Sequence, residues 1–298
     1  MPRPHLLTLL STLLLTPAAR SQALRCQWAS LRSATDIFIE SQAAGTRSDP
    51  IFSSPDLQYT QNGEPLTINS SSSLLSSPLT VQHSHTLIDQ DACASFTKLI
   101  LARPENEAEK LLLGAQIHFN MSTTDARLTR VQRMDVVYVG EGDWQMDNFT
   151  AALAHVEGED WGAISRAAQD TRESLEGVAA AYLDLLGGTA GGAAGAGGNG
   201  TAGAGVVAVP WGRPCARLEG SVYTAGGESC VEGLSLPPEG GEGITERRYV
   251  IDASVGSVSV IAKDGSLGGA PAVFELRVVQ GELRYVHQFA ATRGANSG

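Results

Sequence analysis

Polar side chains interleaved with apolar strand residues mark where this chain can do chemistry. Near the C-terminus Leu283, Tyr285, His287 and Phe289 alternate along one predicted strand and so share a face. If that face lines a pocket, the His287 imidazole can take up and release a proton near neutral pH, with the Tyr285 hydroxyl beside it. The alternative is a hydrogen-bonded core or edge histidine. Asp252 follows Arg248 by four residues and shares its strand face, which fits either a buried carboxylate base held by the arginine or a structural ion pair. His287, Tyr285 and Asp252 are therefore the candidate catalytic residues. Glu275 and Arg277 alternate with Phe274, Leu276 and Val278, which places them on a solvated face. Arg217 and Glu219 follow Cys215 and fit either a pocket mouth or a surface pair.

Other chemistries are disfavoured. His83 and His85 can share a strand face, but two histidines without a third ligand make a poor metal site. His118 and His155 stand alone, and no cysteine cluster has zinc spacing. No G-x-S-x-G, P-loop or dinucleotide fingerprint occurs in a strand–turn–helix context, which sets aside serine hydrolase, NTPase and nicotinamide enzyme. No metal and no cofactor are expected. Acidic residues outnumber basic ones, 32 to 21, for a net charge of −11. That balance argues against a nucleic-acid backbone or an anionic membrane surface as partner.

The elements that must position these residues come in two sets. Trp28, Leu31, Thr35 and Phe38 recur at helical spacing and Gly45 can end that helix. Leu175, Val178, Ala179, Tyr182, Leu185 and Leu186 do the same in a helix beginning near 165 and ended by Gly187. Predicted strands follow each helix, over 79–87, 96–103, 111–119 and 127–139, and then over 247–254, 257–263, 272–279 and 282–289. Leu128, Val131 and Met134 match Leu283, Val286 and Phe289 in a weak repeat, which sets Gln132 opposite His287. The offset between halves grows by about 18 residues from helix to last strand, close to the length of a Gly/Ala-rich tract over 187–205. The reading is an α+β fold of two tandem units, 24–158 and 159–292, each with helices packed on an antiparallel sheet, the second carrying the 187–205 insert and ending in a disordered tail over 293–298.

The N-terminus is read as a secretory signal peptide over 1–23: Arg3 and His5, a Leu-rich run from Leu6 to Leu15, then Ser21-Gln22-Ala23 as a small-x-small cleavage site. Its removal takes away Arg3 and Arg20 and no acid, leaving 19 basic against 32 acidic residues, a net of −13. No later stretch is apolar for long enough to span a bilayer, so no membrane association is expected after cleavage. An exported chain with Cys26, Cys93, Cys215 and Cys230 suggests two disulfides. Three pairings are open; Cys26–Cys93 with Cys215–Cys230 is favoured because each bridge then stays inside one half. Asn69, Asn120, Asn148 and Asn199 head glycosylation sequons.

Five segments carry a family resemblance: DACASFTKLILA (91–102), GDWQMDNFTAALAHVEGEDW (142–161), PWGRPCARLEGSVYT (210–224), ERRYVIDASVGSVSV (246–260) and FELRVVQGELRYVHQF (274–289). Together they resemble a family of secreted fungal proteins classed as a domain of unknown function, over almost the whole mature chain. Ala253, where that family suggests an acidic residue, and the Gly/Ala tract are departures. Each unit is also similar to the SnoaL-like, nuclear-transport-factor-like fold. That resemblance implies two cones in tandem, each a curved sheet wrapped on helices around a pocket. In SnoaL-like enzymes such a pocket holds one or two acid–base groups among apolar walls. The function implied is binding of a small organic molecule, with cofactor-free isomerase or cyclase chemistry on a secondary metabolite. The alternative is a non-enzymatic extracellular module: a cell-wall, effector or carrier protein. The resemblance transfers no catalytic residue.

Overall fold

A computed structural model describes residues 26–120, 129–188, 209–226, 230–231, 233–234 and 242–293. The signal segment, most of the Gly/Ala tract with Asn199, and all of the tail but Arg293 lie outside the described residues. Helix α1 (Trp28–Ala44) buries Leu31, Ala34, Thr35 and Phe38 along one stripe and stops at Gly45 in the left-handed region, φ 65°. A Cβ on Gly45 would stand 2.5 Å from Pro78 N, so only glycine fits that exit. Helix α2 (Phe149–Gly158) is capped by the Asn148 side chain, which accepts from Ala151 N. Helix α3 (Arg172–Leu186) is capped by Thr171 and buries Leu175, Val178, Ala179, Tyr182, Leu183, Leu185 and Leu186.

The two sets of strands form two sheets. The first contains β1 (Gln58–Gln61), β2 (Glu64–Pro65), β3 (Thr80–Asp89), β4 (Ala94–Arg103), β5 (Asn106–Asn120) and β6 (Arg130–Val139). The second contains β7 (Trp211–Glu219), β8 (Val222–Gly226), β9 (Ile244–Asp252), β10 (Ser257–Asp264), β11 (Ala270–Val279) and β12 (Glu282–Ala290). Their orders are β2-β1-β6-β5-β4-β3 and β8-β7-β12-β11-β10-β9, the same pattern shifted by six strands. The chain is thus two similar units, largely β with few helices. Each sheet is mixed rather than antiparallel, because β1 runs parallel to β6 and β7 parallel to β12. The sequence reading missed the short hairpins β1–β2 and β7–β8. β1 buries only Tyr59 fully and β2 is exposed and ends in Pro65, so neither carries an apolar alternation.

Strand alternation divides each sheet into two buried faces. Leu113, Ala115 and Ile117 of β5 pack with α1, and Phe274, Leu276 and Val278 of β11 pack with α3. The opposite faces meet each other. Phe96, Ile100 and Leu112 of the first sheet form one cluster with Val250, Ile261, Val273 and Phe289 of the second. Gly114 sits at this contact, where a Cβ would stand 2.9 Å from Val273 Cγ2 and 3.0 Å from Phe289 Cζ. The face assigned to solvent is therefore the seam between the units: Glu275 is 0% exposed and Arg277 4%. The alternation was read correctly; a second sheet takes the place of water.

The repeat is present, but its register differs from the motif match. Asp89 and Asp252 end equivalent strands, each five residues before the next strand begins. Counting from them, the ladders make Gln116 equivalent to Glu275, and Asp135 to His287. The counterpart of His287 is Asp135, not Gln132, because the Leu-x-x-Val pattern slips by three residues. The two aspartates also mark the join reciprocally. Asp252 Oδ2 accepts from Ile88 N and Asp89 Oδ2 accepts from Ile251 N, both at 2.9 Å. This is the self-complementary geometry of a two-fold contact, made within one chain.

Disulfides join Cys26 to Cys93 and Cys215 to Cys230, each within one half. Among the described residues no helix is long and apolar enough to cross a membrane. α2 lies before residue 158 yet packs its Ala152 and Val156 against Leu218 and Tyr223 of the second unit.

Candidate active site between the two sheets

An apolar cluster fills the middle of the seam, and one end of it holds a connected group of charges. Lys98 of β4 lies between Phe96 and Ile100 on the same strand face, opposite Gly114 on β5. Its stem crosses the seam and its ammonium pairs with Glu275 on β11 of the other unit. The Lys98 and Glu275 side chains are 2% and 0% exposed. Lys98 Nζ also bonds His287 Nδ1 on β12. His287 Nε2 lies 2.6 Å from Glu159 Oε2, which also accepts from the Trp161 indole N–H at 2.8 Å. On the other side of Glu275, its Oε1 lies 2.6 Å from His85 Nδ1 on β3. The groups run unbroken as His85–Glu275–Lys98–His287–Glu159.

The geometry assigns the protons. An ammonium only donates, so His287 Nδ1 accepts from Lys98 and carries its hydrogen on Nε2, facing the Glu159 carboxylate. A base held in one tautomer by a carboxylate, with an amine on its free nitrogen, is the arrangement that activates a nucleophile or passes a proton. Burial alone would push Glu275 up. The Lys98 charge, then the charge and hydrogen bond of His85, outweigh it and hold Glu275 well below the usual carboxylate range.

Trp161 roofs the group. Its ring centroid lies 5.1 Å from Lys98 Nζ, 4.8 Å from the His287 ring, 5.2 Å from His85 and 5.7 Å from Tyr285. The segment carrying Glu159 and Trp161 follows α2 and is tied down by Arg277, which donates to Gly162 O at 2.9 Å. Beneath it a cavity of about 280 Å³ is lined by His83, His85, Lys98, Val156, Glu157, Glu159 and Trp161. Two of its lining groups, Glu159 Oε1 and His83 Nε2, are buried without a hydrogen-bond partner among the described residues. Burial, then the Lys98 charge and that of His85, lowers the His83 pKa.

His287 and Tyr285 lie on the seam side with Phe289, whereas Leu283 faces α3. A register shift between Leu283 and Tyr285 breaks the alternation that would have put all four on one face. His287 is 2% exposed, buried between the sheets and not in the interior of the second unit. Asp252 is not held by Arg248. It accepts from Ile88 N, Ser254 N at 3.0 Å and Ser254 Oγ at 2.6 Å, so its oxygens join the units. Arg248 turns to Asp135, 3.4 Å away. Arg217 is buried and donates to Cys230 O beside the second disulfide, with Glu219 3.4 Å away. Asn69, Asn120 and Asn148 are exposed.

Lys98, Glu275, Glu159 and Trp161 were missed as site residues. Glu159 and Trp161 reach the site through the fold of a connecting segment, which leaves no spacing to read. Lys98 did leave a signal: it is a lone cation sharing the strand face of Phe96 and Ile100. The equivalent positions at the other end of the seam carry Ile261 for Lys98, Gln116 for Glu275, Asp135 for His287 and Arg248 for His85. The two ends have diverged, and the histidine–lysine–carboxylate chain exists at one of them.

No curated protein matches the chain. A family model described as a domain of unknown function, DUF8021, matches residues 199–290, which takes in β7–β12 with Glu275 and His287 and stops short of the β3 and β4 that supply His85 and Lys98.

Proposed function

We propose that this is an exported protein that binds a small organic molecule in the cleft between its two units and moves a proton on it without a cofactor, as an isomerase or cyclase does. The observation that carries the reading is the unbroken chain from His85 to Glu159, buried between apolar sheets and opening on a cavity lined by Glu159 and His83, each with an unsatisfied buried atom. His85 is the member most open to solvent, 19% exposed, and so the one placed to exchange a proton with a bound molecule. The SnoaL-like cone description of each unit and a fungal secreted origin belong to this proposal. The repeated strand order with one long helix on each sheet supports the first, and the two disulfides are compatible with export. The site differs from the cone reading in lying between the units.

The test is ligand-observed NMR with a panel of fragment-sized hydroxy and carbonyl compounds, comparing the wild type with the charge-neutral pair Lys98→Met/Glu275→Gln. Binding by the wild type and its loss in the double variant are expected. Binding that survives the double variant overturns the assignment. A second reading, a non-enzymatic extracellular module, is favoured by one observation: the Lys98–Glu275 and His85–Glu275 contacts both run from one unit to the other, as a structural clasp would. On that reading the double variant changes stability alone.

A further inference from the structure

We infer that Lys98 is a nucleophilic amine that forms a Schiff base with a small aldehyde or ketone. The inference rests on the cleft being a ligand site and adds the substrate class. The chain has 18 arginines and 3 lysines, Lys98, Lys110 and Lys263. Arginine suits a buried ion pair better and stays charged, whereas a buried lysine can give up its proton and attack. Lys98 is the buried one, and it stands where a nucleophile would. It lines the cavity, its Nζ bonds the free nitrogen of His287, and His287 is oriented by Glu159. Nucleophile, base and positioning carboxylate are in place. The amine is not a requirement of the sheet packing, because the equivalent position in the second unit is Ile261, opposite Val273.

The chemistry closes on these groups. His287 Nδ1 takes one proton from the ammonium. The freed lone pair adds to the carbonyl carbon as the C=O π bond opens, and the resulting oxyanion takes a second proton from the attacking nitrogen to become the hydroxyl of a carbinolamine. The proton held by His287 is returned to that hydroxyl, which leaves as water while nitrogen forms the C=N bond. One ammonium and one carbonyl give one iminium and one water, and the positive charge stays beside Glu275. Trp161 over the site limits the entry of further water.

The experiment treats the intact protein with acetaldehyde and cyanoborohydride and locates the alkylated lysine by peptide mass spectrometry. Lys98 is expected to be labelled before Lys110 and before Lys263, whose side chain is 47% exposed. His287→Gln is expected to slow labelling of Lys98 by about 10²-fold or more, the range of a general base. Glu159→Gln slows it too, and Glu159→Asp restores part of the rate. Labelling of Lys110 and Lys263 ahead of Lys98 in the wild type overturns the inference with no variant needed. If the NMR panel still shows cleft binding in that case, the lysine chemistry fails and the ligand site stands. If neither is seen, both fail.

Discussion

Replacing Lys98 by methionine keeps the stem that fills the seam and removes the ammonium. Glu275, 0% exposed, then faces His85 at 2.6 Å and His287 at 3.7 Å with no permanent cation beside it. Breaking one partner out of a buried pair costs about 3–5 kcal/mol, because the remaining charge is uncompensated. For a chain of this size that corresponds to roughly 5–9 °C in Tm. In the wild type the folded-state pKa of Glu275 is depressed, so its contribution is present above the ordinary carboxylate value and is lost as pH falls through the folded value. In Lys98→Met the largest favourable charge is gone and burial dominates, so the Glu275 pKa rises. Protonation then relieves the penalty as pH falls, and the gap between variant and wild type narrows from pH 8 to pH 5. Lys98→Met/Glu275→Gln removes both charges and should recover most of the loss. Urea denaturation of the three proteins at the two pH values measures all of this. A Lys98→Met penalty below about 1 kcal/mol at pH 8, no smaller at pH 5 and not relieved by the second substitution, refutes the reasoning.

Gly114→Ala overpacks the seam against Val273 and Phe289 and should cost about 1–3 kcal/mol by urea denaturation. Asp89→Ala and Asp252→Ala each strand a buried backbone N–H across the join, at about 1–3 kcal/mol, with Asp89 the costlier because it also pairs with Arg172 at 2.7 Å; calorimetry of the two variants ranks them. Removing Cys26–Cys93, which closes a separation of 67 residues, should cost about 4 kcal/mol, against about 3 kcal/mol for Cys215–Cys230 at a separation of 15, read from denaturation of the paired Cys→Ala variants. Mass spectrometry of the protein expressed through a eukaryotic secretory pathway should find Leu24 as its first residue and glycan on the exposed Asn69; an intact N-terminus would refute the export reading.

What the sequence made legible was periodicity. Helices ending at Gly45 and Gly187, eight strands and the duplication follow from apolar spacing and turn residues, and the favoured cysteine pairing follows from keeping each bridge inside one half. What it hid depends on the second layer of packing. Glu275 and Arg277 alternate with apolar residues just as solvent-facing side chains do, and nothing within one strand says that another sheet will cover them. The shift after Leu283 inverted the inferred facing of His287, and such irregularities leave no compositional mark at this site. Asp252 and Arg248 share a face but separate partners, since each finds a better-placed group in the first unit. His287 was legible as a candidate, but the partners around it were not, because the group is built by two units and spacing reports on one strand at a time.

A crystal structure of the protein purified from its native source, refined for density in the seam, bears most directly on the central claim. The account predicts an occupant between Trp161 and β4, touching Glu159 Oε1 and within reach of Lys98 Nζ. A cavity closed by its own side chains, or an occupant held between α3 and the second sheet instead, would contradict it.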